Sequence, residues 1–423
     1  MFDFLKKFFR IVFKILSFSL VFFLLFFNYS LYYTPNFIED KNGLYNEDLY
    51  HQLQFLKEEL HKKNAGKRMQ DIFPEGFMFI NSLYALSWIN FVKEIQPNTE
   101  IYQEAEKEIN WTIKQIYSKE GKRIFNNSLP LEYGAFYSGW SNYVLGKYLL
   151  LQSKNKLQLD STHLSLFEEK CNQIDSATQN SVSPYLESYR SQTWAADMVV
   201  CIASLQLYKD IFENNSNQSY HNKIAKYALT TKSWIEKVKV HLDSTTGLIP
   251  HSSEESQGFT DETARGSSQS LMLNFLPKID ADFAASQYSI YKNLFVEEHV
   301  GLNGVREYPK GIEGEGDIDA GLIVWEIGGA ASIVGQRAAA QNNDWTLYHE
   351  LRNCIETFGA THTFDKQKKY IFGQLVMVDA FTAWSNSIED SKSYHKMDKN
   401  WRKQVQFFSL LIIIILLFLN YKF

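Results

Sequence analysis

The sequence predicts an all-α protein in which one large helical domain lies between two membrane-spanning helices. A long apolar segment stands near each end of the 423-residue chain. Between these segments, apolar residues recur at three- and four-residue intervals, the spacing that gives a helix one apolar face. No window shows several alternating polar and apolar runs separated by hairpin turns, so a β-rich domain is not predicted.

The first apolar segment, residues 11–33, carries Lys14 as its one charged residue and can cross the ~30 Å hydrocarbon core of a bilayer. It ends in bulky residues such as Phe26 and Phe27, whereas a cleavable signal peptide ends in small ones. We therefore expect an uncleaved anchor. Residues 405–421 are apolar enough for a second span, with burial in the domain or a re-entrant hairpin as the alternatives.

The positive charges beside the two apolar segments give opposite indications of orientation. The first segment follows a short N-terminus, residues 1–10, and its N-terminal charges are Lys6, Lys7, Arg10 and Lys14. The second segment follows a basic linker, residues 396–404, which contains Lys396, Lys399, Arg402 and Lys403. Because the first span usually dominates, we expect a cytoplasmic N-terminus and an extracytoplasmic domain over residues 34–395.

Composition excludes several classes of protein. With 22% charged and 15% aromatic residues, the chain can bury a large core and is not disordered. The net charge of −5 is spread along the chain without a basic stripe, so we expect no nucleic-acid partner. Cys171, Cys201 and Cys354 show no CxxC or His-rich spacing, so free thiols in a helical core are predicted.

Six segments between the anchors share a polar or Gly-containing opening followed by an apolar run with small and aromatic residues. They begin near 73–79, 132–140, 192–198, 264–270, 316–321 and 374–381, around Gly76, Gly139, Ala196, Gly266, Asp319 and Met377. Their spacing of roughly sixty residues leaves room for two helices per repeat. The intervening segments, such as 46–63, 161–174 and 221–240, are charged and amphipathic.

Six buried helices alternating with six amphipathic ones resemble the (α/α)6 toroids, in which an inner ring of parallel helices is wrapped by an outer ring. The resemblance covers residues 46–386 and rests on helical period and character. This six-hairpin superfamily includes many glycoside hydrolases, polysaccharide lyases and some terpene-converting enzymes. It implies a pocket at one end of the inner ring, lined by the loops that enter the inner helices. An irregular helical bundle or a short solenoid is the alternative.

Polar residues are concentrated in two of these loops. Residues 247–269 contain His251, Asp261 and Arg265. Residues 301–321 contain six glycines together with Arg306, Glu307, Tyr308, Asp317 and Asp319. Asp261 and Asp317 can also be helix N-caps, and Arg265 an ion-pair partner, so a purely structural role is the alternative for these residues.

Asp197 lies in an apolar run, where a buried carboxyl group must find a partner or have its pKa raised, as a general acid requires. A hydrogen-bonded core aspartate is the alternative, and Asp379 has a similar setting. We predict that the catalytic residues belong to the set Asp197, Asp261, Glu307, Asp317 and Asp319.

Substrate binding is predicted for charged and aromatic residues near the same loops: Glu75, Tyr133, Trp140, Trp194, His251, Arg265, Arg306 and Tyr308. Aromatic faces beside charged groups suit sugar rings, although core packing explains the aromatic residues equally well. The GxGD and GG strings lack a preceding strand, so they are not dinucleotide fingerprints. No cofactor is predicted, and no spacing of acids demands a metal.

The sequence is compatible with three functions. The first is a membrane-anchored hydrolase or lyase that acts on a saccharide or glycoconjugate through two acidic groups at the toroid mouth. The second is a lyase or isomerase for an apolar, terpenoid-like small molecule. The third is a membrane-tethered binding or scaffold protein without chemistry, which would have dispersed or fully paired carboxylates. Beyond the lipid bilayer and such a substrate, the sequence indicates no partner or oligomeric state.

Overall fold

A computed structural model describes residues 2–389 and 400–422. The helices in chain order are α1 (Phe2–Ser30), α2 (Glu47–Lys62), α3 (Ala65–Ile72), α4 (Gly76–Phe91), α5 (Glu100–Ile116), α6 (Lys119–Lys122), α7 (Gly134–Lys154), α8 (Ser161–Asn180), α9 (Ala195–Phe212), α10 (Gln218–Lys239), α11 (Gly266–Met272), α12 (Leu276–Ile279), α13 (Ala281–Phe295), α14 (Gly329–Gln341), α15 (Trp345–Phe358), α16 (Val376–Asn386) and α17 (Lys403–Lys422).

Short antiparallel strands decorate the connections between these helices. They are β1 (Phe37–Asp40), β2 (Gly43–Asn46), β3 (Thr193–Trp194), β4 (Ser252–Ser253), β5 (Thr260–Glu262), β6 (Val296–His299), β7 (Leu302–Val305), β8 (Ile323–Val324), β9 (Ile327–Gly328), β10 (His362–Phe364) and β11 (Gln367–Lys369). Strands β3, β4 and β5 form one three-stranded sheet, and the others pair as hairpins. These strands shape loops and leave the core entirely helical.

The domain is an (α/α)6 toroid in the part of the chain that the structure describes. The inner ring consists of α4, α7, α9, α11 with α12, α14 and α16. Neighbouring inner helices pack together in chain order, and α16 packs against α4, which closes the ring. The outer ring consists of α2, α5, α8, α10, α13 and α15, each packed on the inner helices. The predicted fold class is confirmed.

Burial explains which helices form which ring. Inner helices such as α4 and α7 are apolar on all sides and almost fully buried, whereas α5 and α15 have one apolar face. Aromatic rings fill the toroid axis: Trp140 lies edge-on to Phe79 at 5.4 Å and to Trp384 at 6.2 Å between ring centroids. The axis is therefore a packed core, and an open site can lie at an end of the ring. Cys171, Cys201 and Cys354 are buried free thiols, as predicted.

The fifth inner helix begins later than the sequence pattern indicates. The segment around Asp319 is a loop, and α14 begins at Gly329 after the β8–β9 hairpin. The loop cannot enter the helix directly because Asp317 accepts hydrogen bonds from the backbone N–H groups of Asp319 and Ala320, which closes a turn. Asp319 therefore lies in the loop at the end of the inner ring and is not the first residue of α14.

The helices at the two ends of the chain pack against each other and against one side of the domain. Phe4–Ser30 and Lys403–Lys422 are long and apolar enough to cross a membrane, and most of their surface is exposed. The start of α17 meets the end of α1, where Arg402 Nε donates a 2.7 Å hydrogen bond to the Leu31 carbonyl. The two helices thus leave the domain together. Lys396 and Lys399 of the predicted basic linker lie outside the described residues.

Candidate active site

Acidic residues from three separate connections meet at the end of the toroid where the inner helices begin, which we call the mouth. Glu75 directly precedes α4, Asp197 lies in the first turn of α9, and Asp319 lies in the loop before α14. Each of the last two carboxyl groups is close enough to the charge of Glu75 for its pKa to rise. These three residues form the acidic cluster of the mouth.

Glu75 is half-buried and is held by a tyrosine from the connection between α8 and α9. The hydroxyl of Tyr189 donates a hydrogen bond to Glu75 Oε1. The Tyr189 ring stacks on Phe125 at 5.6 Å and lies edge-on to Trp194 at the same distance. Because two aromatic rings hold the Tyr189 ring in place, the position of one Glu75 oxygen is defined while the other remains available to a ligand.

Asp197 is the buried member of the acidic cluster, with 6% of its surface exposed. Burial raises its pKa to about 8, a hydrogen bond from the Ser188 hydroxyl opposes this shift, and the charges of Glu75 and Asp319 add to it. At neutral pH, Asp197 is therefore mainly a neutral carboxylic acid. Its hydrogen bond fixes Ser188, which directly precedes Tyr189.

Asp319 is the accessible member of the cluster. The residue is exposed at the mouth, while loss of water around its carboxyl group and the charges of Glu75 and Asp317 raise its pKa to about 6. Arg265 opposes this shift without forming an ion pair with Asp319. An accessible carboxyl group with this pKa can give up a proton near neutral pH, as a general acid must.

Arg265 organises the other side of the mouth. Its Nε donates a 2.9 Å hydrogen bond to the fully buried Glu307, and its Nη1 donates one of 2.5 Å to Asp317. Burial opposes ionisation of Asp317, yet the hydrogen bond from Arg265 and two backbone N–H groups lower its pKa to about 2. Burial raises the pKa of Glu307 despite Ser267 and Arg265. Both acids are therefore fixed by structural contacts and hold the loop of Asp319 in place.

Other residues predicted for the site lie around this ion pair. The Arg265 guanidinium lies over the ring of Tyr308 at 5.5 Å, and the Tyr308 hydroxyl donates to the Glu315 carbonyl. Arg306 forms ion pairs with Glu297 and Glu326. These contacts tie together the long connection between α13 and α14.

The connection before α11 carries the other two polar residues of the prediction. His251 is buried, and burial together with the charge of Arg265 lowers its pKa to about 3, so it is neutral. Asp261 is exposed on β5 and accepts a 3.3 Å hydrogen bond from Ser252. The structure therefore places Asp261 at the surface, separate from the acidic cluster.

The predicted aromatic residues occupy three different settings. Trp194 is half-buried beside Tyr189 and borders the acidic cluster. Trp140 is fully buried in the toroid axis. Tyr133 directly precedes α7 with a positive φ of 65°, and Lys122 lies over its ring at 5.0 Å. Trp194 is therefore the one of these three that adjoins Glu75 through Tyr189.

The site also contains two residues that the sequence did not indicate, Tyr189 and Ser188. Both precede the helical segment that begins near 192, and no periodic pattern marks them. A surface groove of about 730 Å³ lies elsewhere, between α8 and residues 129–132. In residues 2–389 and 400–422, no group of three or more His, Cys, Asp or Glu side chains is arranged to hold a metal ion.

The fold and the mouth together define an (α/α)6-toroid protein with an acidic cluster at the entrances of its inner helices. No protein-family model and no curated protein matches the chain. A crystal structure of a family 76 glycoside hydrolase from a bovine Bacteroides thetaiotaomicron strain is similar, with 10% identity, a TM-score of 0.41, and coverage of 73% of this chain and 68% of that chain. A crystal structure of D-mannose isomerase has 10% identity, a TM-score of 0.39, and coverage of 89% and 97%.

Proposed function

We propose that this protein is a membrane-anchored enzyme that cleaves a saccharide or glycoconjugate by acid/base chemistry between carboxyl groups at the toroid mouth. The acidic cluster carries this proposal. Among the described residues, Arg265 pairs with Glu307 and Asp317, Arg306 pairs with Glu297 and Glu326, and no Lys or Arg forms an ion pair with Glu75, Asp197 or Asp319. Acidic residues that share a site without neighbouring cations are typical of enzymes that catalyse proton transfer. A scaffold protein would instead have carboxylates that are all paired with cations.

The two accessible acids suit the two roles that glycoside hydrolysis requires. Asp319, with its raised pKa, donates a proton to the glycosidic oxygen, and the bond from that oxygen to the anomeric carbon breaks. Glu75 removes a proton from the water that attacks the anomeric carbon. If Glu75 instead attacks that carbon, water then breaks the resulting glycosyl ester and gives its proton to Asp319. The proton lost by Asp319 and the proton taken from water balance over one turnover.

Asp197 has a positioning role in this scheme because its burial keeps it from the substrate. It holds Ser188 and thereby the backbone that presents Tyr189 to Glu75. In its neutral form, Asp197 also adds no third negative charge to the acidic cluster. Trp194 offers an aromatic face to a sugar ring next to the two accessible acids.

Membrane attachment is proposed for the two terminal helices. They leave the domain together, so if both cross the bilayer, the two chain ends lie on one side and the toroid on the other. The positive charges in the N-terminal half of α1 favour a cytoplasmic N-terminus, which places the toroid outside. Arg402 is buried against Leu31 and lies over the Tyr32 ring, so it binds the domain and is a weak indicator of orientation.

The experiment is a cleavage assay with the full chain in detergent. The substrate mixture is a total membrane glycan extract, and mass spectrometry detects new reducing ends from hydrolysis or unsaturated sugars from elimination. We expect the wild type to release sugar, and Glu75→Gln and Asp319→Asn to abolish release while Asp71→Asn, an exposed acid on α3, does not. Absence of release by the wild type, or release at the wild-type rate by either cluster variant, would contradict the proposal.

A further inference from the structure

Large apolar side chains are exposed mainly at one end of the toroid. Outside the terminal helices, the described residues of this kind lie in the connections that form the mouth, with Leu44 and Leu229 as exceptions. They are densest in two neighbouring connections, before α14 and before α16. We call six of them the apolar rim: Leu322, Val324, Trp325, Phe358, Phe364 and Phe372. A cluster of exposed apolar side chains on a folded domain marks a surface that contacts another apolar partner.

The N-terminal helix extends from the domain at this same end. The ring of Phe27 lies edge-on to Phe358 at 5.3 Å, and Asn353 donates a 2.9 Å hydrogen bond to the Leu31 carbonyl. As α1 runs from Phe27 to Leu31, its neighbours in α15 run backwards from Phe358 to Asn353, so the two helices are antiparallel. The rest of α1 therefore continues beyond the C-terminal end of α15, which is the mouth end of every outer helix.

The second terminal helix meets the mouth as well. Gly301, at the tip of the β6–β7 hairpin, lies against the Trp401 carbonyl and Gln404 at the start of α17. Val300 at this tip is exposed. The hairpin belongs to the connection that holds Asp319, so α17 also adjoins the mouth side of the domain.

Two hairpin tips in the rim carry exposed aromatic residues, one of them on strained backbone. Trp325 is 80% exposed, and Trp325 and Glu326 both have positive φ angles, of 48° and 68°, at the turn between β8 and β9. Phe364 is 77% exposed and precedes a second turn of this kind. Such turns favour Asn and Gly, so a tryptophan there is costly for folding and indicates another use. Aromatic side chains at exposed tips suit the membrane interface.

We propose that the apolar rim rests on the lipid bilayer that α1 and α17 enter, so that the toroid mouth faces the membrane surface. The direction of α1, the contact of the β6–β7 hairpin with α17 and the exposed rim side chains all point to this one occupant. Resting on the proposed function, we further infer that the substrate is a saccharide carried by a membrane lipid. A sugar headgroup would stand directly below Asp319 and Glu75.

The docking test uses the full chain in phosphatidylcholine vesicles. The native cysteines are buried, so an environment-sensitive fluorophore can be placed by Trp325→Cys, Phe364→Cys or Leu322→Cys, with Leu229→Cys on α10 and Leu44→Cys on β2 as matched exposed controls. We expect spin-labelled lipids to quench the fluorescence of the rim labels and to leave the fluorescence of both control labels unchanged. Equal quenching at rim and control positions, or none at the rim, would overturn the inference.

The substrate test compares a glycolipid with the water-soluble glycan cut from it. Replacing both tips, Trp325→Ser with Phe364→Ser, should lower release from the glycolipid about a hundredfold, since each large apolar side chain withdrawn from lipid is worth about tenfold. Release from the soluble glycan should not change. Equal loss on both substrates would refute a lipid-borne substrate. Rim quenching with no effect of Glu75→Gln on release would instead refute the proposed function and leave the docking intact.

Discussion

The hydroxyl of Tyr189 donates a hydrogen bond to Glu75, a residue 114 positions earlier in the chain. The bond joins the loop before α9 to the residue that precedes α4, across the first and third entrances of the inner ring. It holds one accessible carboxylate beside a half-buried aromatic group.

Replacing Glu75 by glutamine should lower the cleavage rate by about 10²–10⁴-fold, because the amide can neither take a proton nor attack carbon. Tyr189→Phe removes one hydrogen bond and keeps the carboxylate, so the loss should be about tenfold. Steady-state rates on the released-sugar assay check both. A larger loss in Tyr189→Phe than in Glu75→Gln would contradict the assigned roles.

The pH dependence of cleavage should report Asp319. A general acid acts while protonated, and the pKa of Asp319 is raised to about 6, so the rate should fall as pH rises above about 6. Asp317→Asn removes a negative charge that raises this pKa, which should move the fall to lower pH. A pH–rate profile of the two proteins measures the shift. A profile that is unchanged, or shifted upward, would argue against Asp319 as the acid.

Stability should depend on pH through Asp197. Its pKa is raised in the folded protein to about 8 from the ordinary value of 3.8, so between about pH 4 and pH 8 the folded protein holds a proton that the unfolded chain has lost. Stability due to this group is therefore lost as pH rises. Asp197→Asn should raise the melting temperature at pH 8 relative to wild type and change it little at pH 4. Thermal unfolding in detergent at the two pH values tests this sign, and Asp71→Asn is the exposed control.

Arg352 should anchor α1 to the domain. It is fully buried, pairs with Glu356, and lies 2.9 Å from Glu389, and its Nη2 donates a 3.0 Å hydrogen bond to the Tyr33 hydroxyl. Arg352→Met removes the buried guanidinium shared by Glu356 and Glu389, although Glu356 keeps its pair with Lys368, and should cost about 3–5 kcal/mol of unfolding free energy. Lys41→Met breaks an exposed pair with Glu100, which solvent screens, and should leave the unfolding free energy nearly unchanged. Denaturant titration of both variants compares them, and equal losses would contradict the anchoring role.

Much of the fold could be predicted from the sequence because the signal is periodic. Apolar runs with small residues mark the inner helices, and charged amphipathic runs mark the outer ones, so their alternation indicated the toroid. The start of α14 was misplaced because Asp317 and Asp319 suggested a helix entrance. The glycine- and alanine-rich run from Gly329 is the actual helix, and the acids before it close a turn.

The site was less accessible to prediction because it depends on contacts between distant segments. The burial of Asp197 follows from the apolar residues around it. The bond from Tyr189 to Glu75 and the pairing of Arg265 with Glu307 and Asp317 join residues that share no local pattern. The sequence of each segment alone does not show which acids form ion pairs and which remain accessible at the mouth.

The most direct measurement is a structure of the Glu75→Gln protein with a bound saccharide. We predict a sugar at the mouth between residues 75 and 319. The side-chain carbonyl groups of these two residues should lie about 5–9.5 Å apart, on either side of the anomeric carbon. That separation would also state whether cleavage retains or inverts configuration. A saccharide bound in the groove beside α8, with the mouth empty, would contradict the account.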